Sequence, residues 1–147
     1  MEWVILFAIS WVLFLTLADW KMLKKNIWCG LLAMALQTAV DSQAINHGFY
    51  SIQKAVVQIK GSSFFFVAGP IFVIGTLLAQ FHPAKNWVRV LYVIVIAALF
   101  SAQEYFLIIR DVLVYHNWKF TISVVVNISA MTTLSWFSMV VLNKRGE

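Results

Sequence analysis

The chain has few of the residues that mark soluble domains or small disulfide-stapled ones. Only 12% of its 147 residues are charged, against about 25% in a typical soluble domain. A single cysteine, Cys29, excludes an internal disulfide and a thiolate metal cage within one chain, and is expected to be a small buried thiol. No HExxH zinc motif, Gly-x-Ser-x-Gly elbow or phosphate loop occurs, so no motif names a reaction and no catalytic residue is assigned. The three histidines, His47, His82 and His116, fall in connections on both sides of the layout below, which argues against a three-histidine zinc site. The chain is therefore expected not to be an enzyme and to need no metal or cofactor. Its net charge of +5 is spread over short connections rather than gathered on one stripe, which excludes a nucleic-acid partner.

Apolar residues fill the gap, at 62% of the chain and with a mean hydropathy of +0.84. A membrane protein forming one compact domain over residues 1–147 accounts for this. Crossing a ~30 Å hydrocarbon core takes about 20 apolar residues in a helix. Five continuous runs qualify or come close, at 3–18, 27–45, 64–81, 90–109 and 120–142. Backbone polar groups find no water in lipid, so continuous runs of this length must be helices. The fold class is thus an all-α polytopic bundle of five transmembrane helices.

Connections and interface aromatics orient the bundle. With the amino terminus outside, Lys21, Lys24, Lys25, Lys85, Arg89, Lys144 and Arg145 lie inside, while Lys54, Lys60, Arg110 and Lys119 lie outside. The excess of basic residues inside places the chain in a bacterial cytoplasmic membrane with the carboxyl terminus in the cytoplasm. The first run is not a cleavable signal, because its lysines follow the apolar stretch. Trp20, Trp28 and Trp87 mark the inner interface and Trp3 and Trp118 the outer one, whereas Trp11 and Trp136 are expected between helices. The long connection 46–63 places Phe49, Ile52, Ala55, Val56 and Ile59 at helical spacing, which predicts one interfacial amphipathic helix turned at Gly48 and Gly61.

Two carboxylates interrupt the apolar runs. An ionisable group in hydrocarbon costs roughly 2.5–3.5 kcal/mol on insertion scales, so it needs a partner, water or a bound proton. At ~1.5 Å per residue, Asp41 and Glu104 each lie roughly 21 Å from the inner boundary, in one layer of the outer third. Pro70 and Asn127, counted down from the outer ends of their own helices, reach the same layer. Gln37 shares a helical face with Asp41, and Asp111 lies seven residues from Glu104. Pro70 removes a backbone donor, and Gly69 and Gly75 let neighbours approach closely. The candidate ligand or proton site is Asp41, Glu104, Gln37, Gln103, Asn127 and Arg110, beside a helix distorted at Pro70. Three roles stay open for this layer: structural locking with Arg110 or Lys54, a ligand or proton site, and contact with another subunit.

Asp41-Ser42 late in the second run, Tyr50, Pro70, Glu104-Tyr105 and Trp118 together resemble a family of uncharacterised small multi-span integral membrane proteins of spore-forming Firmicutes. The resemblance spans about two-thirds of the chain and implies membrane location. This sequence departs from the family pattern at Phe64-Phe65-Phe66, where an acidic residue is common, and in lacking prolines in the preceding connection. The function expected is a module that binds membrane lipid or a partner subunit. The alternatives are a small proton-coupled transporter or channel subunit and an intramembrane lipid-modifying enzyme. Ser129, Thr132 and Thr133 in the last run offer small polar residues for self-association.

Overall fold

A computed structural model describes residues 1–142. Most of the described chain forms five helices: α1 Glu2–Leu17, α2 Leu23–Asn46, α3 Phe64–Gln80, α4 Asn86–Ile109 and α5 Phe120–Val140. Their order follows the five apolar runs. Helices α2 and α4 start a turn earlier than hydropathy places them, because Lys24 and Asn86 are polar but do not break a helix.

Two of the helices, α4 and α5, are long and apolar enough to cross a membrane. That falls short of the five spans expected. α1 and α3 are apolar but shorter, and α2, although 24 residues long, carries Lys24, Lys25, Gln37, Asp41 and Gln43.

The connection 46–63 is not the expected amphipathic helix. It contains β1 Tyr50–Ile52, β2 Gln58–Ile59 and β3 Ser62–Ser63, and a fourth strand, β4 Leu113–Tyr115, follows α4. Strands β2 and β3 close on the two-residue turn Lys60-Gly61, both at positive φ, as a tight hairpin requires. Lys54 also has positive φ, so the run cannot wind as a helix. Strand β1 pairs antiparallel with β4, matching Tyr50 to Tyr115 and Ile52 to Leu113. Side chains alternate along a strand, so these four share the face turned into the bundle while Ser51 and Val114 face away. The ladder forms a lid over one end of the bundle.

Close approach of backbones fixes how the helices sit. The most extensive contact is between α2 and the second half of α3. There a Cβ added at Gly75 would lie 2.7 Å from the Ala33 Cβ, and one at Gly30 would lie 2.9 Å from the Phe72 carbonyl. Gly69 meets α1 in the same way, 2.9 Å from the Phe7 Cα. Helix α3 is α-helical at Phe64–Phe66, widens to a π-helical turn over Val67–Ile71 and becomes α-helical again from Phe72. Pro70 sits in that turn and cannot donate a backbone hydrogen bond. Trp11 Nε1 donates to the Ala68 carbonyl at 3.2 Å, which satisfies a group in the widened turn.

The tryptophans divide differently from the expected belt. Trp20, Trp28 and Trp87 are exposed at the end opposite the lid. Trp3 is buried and donates to the Gln53 carbonyl at 2.8 Å, so it anchors α1 beneath the lid instead of lying at an interface. Trp136, expected between helices, is 53% exposed, because it falls on the outward stripe of α5. Cys29 is fully buried against Ser138, as its small size favours.

Gly75→Ala and Gly30→Ala are expected to destabilise the detergent-solubilised protein by about 1–3 kcal/mol each through overpacking. Gly48→Ala, at positive φ but with open space around it, costs about 1–2 kcal/mol from the backbone alone. Thermal unfolding followed by circular dichroism checks the contrast, and combining Gly75→Ala with Ala33→Gly should restore part of the loss only at the helix crossing.

Candidate functional site

Asp41 and Glu104 each stand five residues before the last residue of their helices, α2 and α4, roughly 8 Å below the helix ends. Both helices then end in a left-handed residue, Gly48 after α2 and Asp111 after α4, which turns the chain into β1 and β4. The pairing of those strands carries Tyr50 over Asp41 and Tyr115 over Glu104.

Asp41 is 2% exposed and accepts three hydrogen bonds from three different elements. Gln37 Nε2 donates from within α2 at 2.8 Å, Tyr50 OH from β1 at 2.5 Å and Ser62 Oγ from β3 at 2.5 Å. Hydrogen bonds to a charged group are worth about 1.5–3 kcal/mol each, so they tie the lid and the β2–β3 hairpin to α2. Glu104 is half-buried and accepts from Tyr115 OH on one oxygen and from Asn127 Nδ2 at 3.1 Å on the other. Asn127 Nδ2 also donates to Ser101 Oγ at 3.0 Å, and Ser123 Oγ shares a hydrogen bond with Tyr115 OH and accepts from Trp118 Nε1. Burial, with Asp41 beside it, holds the Tyr50 phenol well above its usual range, and burial with the Glu104 carboxylate does the same for Tyr115. Both phenols therefore keep their protons at neutral pH and act as donors.

The two carboxylates line one cavity of about 80 Å³. Its polar wall is Gln37, Asp41, Tyr50, Glu104, Ser123 and Asn127, and the remaining wall is apolar and aromatic. It also reaches the half-buried residues Leu36 and Val40 of α2 and Val126 and Ala130 of α5, so it opens toward the outside of the bundle. Among the described residues no basic side chain lines it and neither carboxylate has an ion-pair partner.

The structure thus brings together Asp41, Glu104, Gln37 and Asn127, four of the six candidate residues. Arg110 is not with them. It is the exposed cap residue of α4, and its guanidinium donates to Glu2 at 3.2 Å. Gln103 is half-buried, does not line the cavity, and its buried Nε2 has no hydrogen-bond partner. Pro70 is buried in the π-helical turn, while its neighbour Ile71 reaches the cavity wall. Asp111 does not share a face with Glu104, since it lies beyond the helix end and is exposed. Lys54 is exposed in the connection after β1. His116 Nε2 meets Ser51 Oγ at 3.1 Å and His47 stacks on Phe49, both on the outer side of the lid, whereas His82 pairs with Ser135 at the opposite end. Among the described residues no group of three or more His, Cys, Asp and Glu could hold a metal ion.

Sequence reasoning passed over Ser62, Ser101, Tyr115 and Ser123, which are ordinary residues brought in by strand pairing or helix packing. Tyr50 enters the sequence reading only as a point of family resemblance, and Trp118 as that and as an outer-interface tryptophan, whereas both line the cavity. Comparison with family models, with curated proteins and with solved structures finds no match for the chain.

Tyr50→Phe and Ser62→Ala are expected to lower stability by about 1.5–3 kcal/mol each, as losses of donors to a buried carboxylate. Arg110→Ala should leave the unfolding midpoint unchanged. Chemical denaturation in detergent separates the two cases.

Proposed function

We propose that the chain is a five-span membrane module that binds a small amphiphile, such as a membrane lipid, in the lidded cavity, with Asp41 and Glu104 organising its polar wall. The observation that carries this reading is the convergence of the two carboxylates, from separate helices, on one cavity that is otherwise apolar. A pocket with an apolar wall and a few convergent polar groups is the usual form of a small-molecule site.

The membrane setting rests on the surface as well as on α4 and α5. Ile5 and Ile9 of α1, Val90 and Ile94 of α4 and Val125 of α5 are all more than half exposed, which suits contact with lipid tails and not with water. The hydroxyls of Ser129, Thr132 and Thr133 bond the carbonyls of Val125, Ile128 and Ser129 in their own helix, so this exposed stripe presents no free donor. In this reading α1, α2 and α3 also cross, the shorter ones beside the lid and its connections. Lys21, Lys24, Lys25, Lys85 and Arg89 sit at the end away from the lid, which favours a cytoplasmic position for that end and an external amino terminus. The bacterial cytoplasmic membrane and kinship with the spore-former family belong to the same proposal.

A proton-coupled carrier or channel subunit is the second reading, favoured by two carboxylates that share a cavity without a cation beside them. The two readings predict different losses. Ala130→Phe, which fills the cavity, should abolish retention of co-purified lipid or amphiphile, read by native mass spectrometry, while helicity is kept. Retention undiminished in that variant would sink the binding reading. Asp41→Asn should abolish proton flux into proteoliposomes, with folding intact, only if the carrier reading holds.

A further inference from the structure

The chemical class of the occupant follows from how many acceptor positions the two carboxylates still have open. An ionised carboxylate offers about four lone-pair positions. On Asp41, Oδ1 accepts from Gln37 and Tyr50 and Oδ2 accepts from Ser62. On Glu104, Tyr115 and Asn127 take one position on each oxygen. That leaves about one open position on Asp41 and two on Glu104, beside a cavity with no basic side chain in its wall among the described residues. Every protein group bonded to these oxygens is a neutral donor, so the protein places no cation here to balance the charge that either carboxylate carries when ionised.

We propose that the cavity binds a primary ammonium group, the head of an amine-bearing amphiphile, bridging Asp41 and Glu104. An ammonium carries three N–H donors, the number of positions left open, and supplies the missing positive charge. The walls suit the rest of such a ligand. Tyr50, Trp118, Trp3 and Phe66 put aromatic side chains in the cavity wall, and a cation within about 6 Å of an aromatic face is further stabilised. Size favours a primary amine over a trimethylated one. The volume of about 80 Å³ is roughly half that of the ~150 Å³ cavity that takes up benzene, which leaves room for a few heavy atoms. The inference rests on the binding reading above and narrows it from any small amphiphile to a cationic one.

The test uses the full chain in detergent and in lipid nanodiscs, in buffers free of amines. Ethylammonium chloride, ethanol and tetramethylammonium chloride are titrated in turn by calorimetry. Ethylammonium is expected to bind, and ethanol and tetramethylammonium to bind at least about tenfold more weakly. Asp41→Asn and Glu104→Gln should each weaken ethylammonium by at least about tenfold. Nanodiscs identify the source of the amine. Loss of the ethylammonium signal in phosphatidylethanolamine but not phosphatidylcholine discs assigns the site to a lipid headgroup, and equal signals in both assign it to a free amine. Ethanol binding as tightly as ethylammonium would overturn the cationic class and leave the binding reading standing. No heat with any probe, in protein that unfolds cooperatively, would overturn the cationic class, and the binding reading then stands or falls on lipid retention in Ala130→Phe. The wild-type comparison decides the matter even where a variant fails to fold.

Discussion

Three hydrogen bonds to one carboxylate hold the lid-bearing half of this molecule together. Asp41 receives donors from α2, from β1 and from the β2–β3 hairpin, and nothing else described joins those three elements at a single group. A buried carboxylate is expensive, and its solvation has to be rebuilt from the protein. Here the rebuilding determines the shape. The connection between α2 and α3 must fold back twice, once to bring Tyr50 over the helix end and once to deliver Ser62. The strands and positive-φ turns of that connection follow from the demand.

Helices α2 and α4 follow one plan despite unrelated sequences. Each carries a carboxylate five residues before its end, stops at a left-handed residue and leads into a strand whose tyrosine caps that carboxylate. The two strands pair, so each helix contributes half of a lid and half of a polar wall. Trp3 secures the lid from the third direction by holding the Gln53 carbonyl, which follows β1. The short helix α1 therefore has a structural task at its first turn, and the close contact of Gly69 with Phe7 lets it lie near enough to perform it.

Much of this was legible in the chain. Hydropathy located all five helices, and counting residues along them put Asp41, Glu104 and Asn127 at one depth. Gln37 was found from its spacing to Asp41. The strands were not legible, because each has only two or three residues, and the partners β1 and β4 also lie some sixty residues apart. Phe49, Ile52, Ala55, Val56 and Ile59 fit a helical stripe equally well, and only the positive φ at Lys54 and Lys60 excludes it. The same blindness to distant partners misplaced Trp3, whose position near a helix end suggested an interface. Arg110 looked like a counter-charge by depth alone, yet direction took it outward to Glu2.

Tyr50 and Tyr115 occupy the same rung of the β1–β4 ladder, and each caps a different carboxylate. A ladder of three residue pairs has no separate halves, so the backbone that positions one tyrosine also positions the other. The two carboxylates are thereby capped through one backbone rung and not independently. The lid end of the cavity is thus closed by one element, while its side between α2 and α5 stays open.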